Sequence, residues 1–65
     1  RINMTGNEFE AIRVKIGWSK RELAKRLRVG SASIYNYILS KEVPGPVAVA
    51  MEMYAERFRV SYKEE

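Results

Sequence analysis

The chain has 65 residues, no cysteine, no histidine and a formal charge of +4. That length makes one small domain with a thin core, burying about 60% of the surface its unfolded chain exposes. Disulfides and the usual zinc ligands are excluded, and a reducing, cytoplasmic setting fits. No apolar run approaches the roughly 20 residues that span a bilayer, and no signal-peptide pattern is visible. Met4, after Arg1, Ile2 and Asn3, is a candidate natural start.

The first predicted helix opens at Thr5. Thr5-Gly6-Asn7-Glu8 has the form of a capping box, and Phe9, Ile12 and Ile16 recur on one face. Gly17 is the expected stop, because glycine tolerates the left-handed conformation that ends helices. Only Trp18 separates it from the next cap, so the first two helices meet at a sharp angle. Arg13 falls at the edge of the apolar stripe.

The second helix is expected over Lys20 to Leu27. Ser19 is its cap, with Glu22 placed to close a second capping box. Leu23, Ala24 and Leu27 share the inner face. Glu22 and Arg26 stand four apart, the spacing of an ion pair on the outer surface. Arg21, Lys25 and Arg28 make a second, mostly solvated basic stripe. The turn Arg28-Val29-Gly30 follows, with Val29 expected to be buried between the helices. A left-handed Arg28 costs about 1 kcal/mol there, and nothing in the sequence offsets it.

Ser31 is the expected cap of the third helix, which runs from about Ala32 to Leu39. Ile34, Tyr37 and Ile38 gather on one side, and Ala32, Tyr35 and Asn36 on the other. Leu39 also falls on the outer side, an apolar residue without evident cover. The first turn, Ser31-Ala32-Ser33, is small and polar, so the positive end of the helix can approach a phosphate closely. Asn36 offers a donor and an acceptor together to an adenine edge, and Ala32 suits a thymine methyl. The alternative is an ordinary solvated helix face.

Ser40 to Pro46 is the only clear break, since two prolines around a glycine force an extended loop. Pro46 suits the first turn of a fourth helix, expected to Arg57. Its core face reads as Val47, Ala50, Met51, Tyr54 and Phe58. Val49 and Met53 form a second apolar pair one turn apart. Residues 59–65 form a tail, and the segment from Arg57 to Lys63 alternates polar and apolar. That alternation is either a short strand pairing with a second copy or a ragged helix end. Lys63-Glu64-Glu65 is expected to be disordered.

Charge is distributed unevenly. Residues 1–41 hold nine Lys and Arg against three Glu, a balance of +6, whereas residues 42–65 hold three against five, a balance of −2. A polyanion on the side of the second and third helices fits that asymmetry.

From Thr5 to Ala55, roughly four-fifths of the chain, the pattern resembles a phage repressor/Cro-type helix-turn-helix DNA-binding domain. The matching residues are Gly17, Trp18-Ser19-Lys20, Leu23-Ala24, Leu27, Val29, Ile34 and Tyr37, then Pro44 or Pro46 and the alanine-rich helix after it. The resemblance implies an all-α, compact four-helix domain over residues 5–58, with residues 31–39 as the recognition helix in the major groove. It also implies a homodimer reading two half-sites about one DNA turn apart. Carried over by position, the base readers are Ser31, Ala32, Tyr35 and Asn36. The phosphate contacts are Lys20, Ser33 and Lys41, with Arg13 as a further candidate. Two positions depart from the family: Arg28 stands where glycine is favoured, and Ile38 where many members place a glutamate that pairs with the first-helix arginine. Arg13 is therefore expected to be free for phosphate.

The expected function is a sequence-specific DNA-binding transcriptional regulator on a palindromic operator. The competing reading is a protein-binding module, antiactivator- or antitoxin-like, that uses Val49, Met53 and the tail to capture another regulator. An enzyme is not expected, because there is no histidine or cysteine and no paired carboxylates sit in a plausible cleft. No cofactor or metal is called for.

Overall fold

The computed structural model describes residues 4–62. Four helices follow in order: α1 (Gly6–Ile16), α2 (Lys20–Leu27), α3 (Ser31–Leu39) and α4 (Gly45–Arg57). Packing joins α1 to both α3 and α4, and α2 to α3. No strand occurs among the described residues.

Local chemistry explains most of the boundaries. Thr5 and Glu8 complete a capping box, and the left-handed Gly17 closes α1 by donating its N–H to the Arg13 carbonyl. Ser19 caps α2 by accepting from the Glu22 N–H at 3.0 Å. The Glu22 carboxylate turns instead to Arg26, at 3.1 Å, so the second capping box is only half made. Arg28 does take the left-handed conformation, with φ 60°. The offset invisible in the sequence lies in two backbone bonds: Val29 N–H reaches the Ala24 carbonyl and Arg28 N–H the Lys25 carbonyl. These satisfy carbonyls that the helix end would leave orphaned, and Val29 packs against the core beside them.

The same device ends α4. Arg59 is left-handed at φ 56°, its N–H meets the Glu56 carbonyl, and Val60 N–H meets the Ala55 carbonyl. Within this chain the described part of the tail forms no strand. Val60 and Tyr62 pack against the core of their own chain. The Tyr62 hydroxyl donates to Glu52, and the Lys15 ammonium donates to the Ser61 carbonyl. The apolar alternation arises from a helix stop followed by a return over the bundle. Residues 63–65, expected to be disordered, lie outside the described residues.

Phe9, Ile12, Leu23, Ile34 and Met51 are fully buried, as their spacing predicts. Met4 and Val43, which the sequence leaves in loops, join them at 1% and 2% exposure. Val43 N–H donates to the Met4 carbonyl at 2.7 Å, and Gly6 N–H to the Ser40 carbonyl at 3.0 Å. The start of α1 is thus stitched to the chain leaving α3. On α4 the expected face is rotated: Ala48, Met51 and Ala55 are buried, whereas Ala50 is only half-buried and Phe58 is exposed. Two alanines and Met51 thus take the innermost line of α4, and Val47 and Tyr54 flank it.

Candidate nucleic-acid interface

α3 begins at Ser31, the residue expected to cap it, one residue earlier than the expected start at Ala32. Gly30 occupies the N-cap, and no side chain caps the helix. Ser33 N–H folds back to the Gly30 carbonyl at 3.0 Å. By contrast α1 and α2 carry side-chain caps from Thr5 and Ser19. The positive end of α3 therefore faces outward without a neutralising side chain.

The four expected base readers stand together. Ser31, Ala32, Tyr35 and Asn36 are all exposed; α3 presents Ala32, Tyr35 and Asn36 on the side away from Ile34, which is completely buried, and Ser31 is uncovered as the first residue of the helix. Tyr37 packs edge-on to Phe9, with ring centroids 5.7 Å apart, and holds the inner side of α3 to α1. The C-terminal end is held by Ser40, whose hydroxyl donates to the Asn36 carbonyl at 2.7 Å.

Of the phosphate candidates, Lys20, Ser33 and Lys41 flank this face. Lys20 rises from the first turn of α2 with its ammonium 5.5 Å from the Tyr35 ring centroid, a cation–π arrangement that orders both side chains. Lys41 is exposed just beyond α3, and Ser33 is half-buried on the first turn.

Arg13 is not free, contrary to the sequence expectation. Its guanidinium donates twice to the Glu10 carboxylate, at 2.8 and 2.6 Å, and once to the Trp18 carbonyl at 2.7 Å. The side chain is only 13% exposed. Lacking a glutamate at position 38, the arginine finds one a turn away in its own helix. The bidentate bond from Arg13 lowers the Glu10 pKa, with the Arg13 and Lys20 charges adding to it against burial. The same bond raises the pKa of Arg13. The pair ties α1 to the α1–α2 connection and leaves Lys20 as the cation beside Tyr35.

Leu39, 83% exposed, continues the outward line of α3 past Asn36. The sequence placed it there by angle but gave it no role. Away from this face, Trp18 packs edge-on to Tyr54 and Phe58, and Arg26 lies 4.2 Å from its ring centroid. Among the described residues no grouping of acidic side chains is arranged to hold a metal ion, and no helix is long and apolar enough to cross a membrane.

No family model matches the chain, and neither a curated protein nor a solved structure does so. Inference about function therefore rests on this face and its chemistry.

Proposed function

We propose that the protein is a sequence-specific, double-stranded-DNA-binding transcriptional regulator that lays α3 in the major groove. One observation carries the reading: Ala32, Tyr35 and Asn36 form an uncovered stripe on α3, flanked by Lys20 and Lys41 within the basic part of the chain. Small residues at the open N-terminus let the backbone approach phosphate, while Asn36 presents an amide to a base edge. Phosphate contacts from Lys20, Ser33 and Lys41 set the register, and the base contacts set the preference. Arg13 is omitted, because Glu10 and Trp18 occupy its donors.

A single module of this size buries roughly 600–1,000 Å² of its surface on DNA, too little for tight operator binding alone. A homodimer on a palindromic operator answers that shortfall. The role is that of a non-catalytic regulator, repressor-like, in the cytoplasm at the nucleoid. Selection from random duplexes, followed by titration of variants, tests the reading. Asn36→Ala is expected to weaken the selected site far more than random DNA, whereas Lys20→Ala weakens both. Equal losses on both DNAs for Asn36→Ala remove it as a base reader.

A second reading, capture of another regulator, is favoured by a different feature. Val49 and Met53 are 43% and 63% exposed on α4. A depression of about 290 Å³, lined by Ala50, Met53, Tyr54 and Arg57, lies beside them. Calorimetric binding to a protein partner, with no DNA shift at low salt, would select this reading over the first.

A further inference from the structure

Leu39 is the most exposed large apolar side chain among the described residues, at 83%. It is not scattered at random over the surface. It lies seven residues after Ala32, and at 3.6 residues per turn the two point the same way, with Tyr35 and Asn36 between them. Ile34 and the partly buried Tyr37 and Ile38 take the opposite, core-facing side of α3. The outward stripe thus has a small beginning at Ala32 and a bulky aliphatic end at Leu39. Lys41 is exposed just past that end, and an open depression of about 430 Å³ separates the pair from Thr5 and Asn7. Leucine has no donor or acceptor for a base edge. The one feature it recognises in a major groove is the C5-methyl of thymine.

We propose that Leu39 is a specificity-determining residue that packs on a thymine methyl about 10 Å along α3 from the base beneath Ala32. At 3.4 Å per step that is about three base pairs away. Lys41 then meets the phosphate beyond that thymine. The inference rests on the groove-binding reading of α3 and adds to it an apolar contact at the far end of the stripe.

The test uses the operator returned by selection and replaces each thymine singly with deoxyuridine, which removes only the methyl. Affinities are measured at fixed salt for the wild-type chain and for Leu39→Ala, with a thermal melt to verify folding. The melt is expected to be unchanged, since the side chain is in water and alanine is a good helix former. One thymine in each half-site should weaken the wild-type complex about four-fold when its methyl is removed. That sensitivity should vanish in Leu39→Ala, which loses the contact in both half-sites and so binds the unmodified operator about sixteen-fold more weakly, and random duplex as before. A thymine read by Ala32 would respond equally in both proteins.

The inference is overturned if no thymine loses its effect in Leu39→Ala. It is also overturned if that variant binds the operator like the wild type, the result expected were Leu39 covered by a protein partner. If Asn36→Ala still loses operator preference in that case, the groove reading stands and Leu39 alone is misassigned. If the wild-type chain binds no duplex at low salt, both fall.

Discussion

Gly6→Ala is the sharpest test of how α3 is held. A Cβ at position 6 would sit 2.1 Å from the Ile38 carbonyl oxygen, 2.6 Å from the Ser40 oxygen and 2.7 Å from the Ile38 carbonyl carbon. All three are backbone atoms, so no side chain can swing away. Either α1 or the end of α3 must move, and the Gly6–Ser40 hydrogen bond of 3.0 Å must lengthen. Overpacking of this kind costs about 1–3 kcal/mol, and a weakened buried hydrogen bond adds about 1 kcal/mol. Better helix propensity returns up to about 1 kcal/mol. The expected net loss is about 2 kcal/mol, which in a domain this small lowers the midpoint by roughly 8–16 °C. Melting followed by circular dichroism measures it, with Gly30→Ala as the comparison. Gly30 has extended backbone and nothing within 4 Å of a built Cβ, so the change there should stay under about 1 kcal/mol. A Gly6→Ala midpoint matching that of wild type would mean that α1 and α3 do not approach this closely.

Two further outcomes follow from the helix ends and the α1 ion pair. Arg28→Gly relieves a left-handed arginine while keeping both turn hydrogen bonds, so it should raise stability by about 1 kcal/mol in a denaturant titration; a loss would mean that the arginine side chain contributes more than its strain costs. Glu10 has a folded-state pKa below its ordinary value of 4.5, chiefly through the Arg13 bond. Its contribution to stability is therefore present above that value and is lost as the pH falls through the lower, folded pKa. Glu10→Gln should flatten the acid limb of the stability profile relative to wild type, and parallel profiles would remove the pair as its source.

Helix starts and stops were largely legible because they are local. Thr5, Ser19, Gly17 and Arg28 act on backbone groups within five residues, so sequence spacing suffices to find them. The inner stripes of α1, α2 and α3 were legible for a similar reason, since a helix of fixed pitch sorts its own residues into faces. The outward set on α3 followed as the complement of Ile34, Tyr37 and Ile38. Serine favours a cap position, so spacing predicts Ser31 there, yet the backbone leaving Arg28 and Val29 brings Gly30 to it instead.

Tertiary structure alone decided which residues from separate segments meet. Met4 and Val43 have no periodicity to announce them; they are buried because the chain ends of α1 and α3 pair through backbone bonds. Helical spacing points to Ala50 and Phe58 on α4, but packing buries Ala48 and Ala55 instead and leaves Phe58 exposed beside Trp18. By sequence Arg13 is expected to be free for phosphate, whereas folding gives it Glu10 and Trp18. The alternating tail fits a strand by pattern, but one left-handed Arg59 sends Val60 and Tyr62 back onto the bundle. Sequence fixes what each short segment prefers on its own; the faces that helices offer one another, and the partners left for a charge, depend on distances that exist only after the segments have packed.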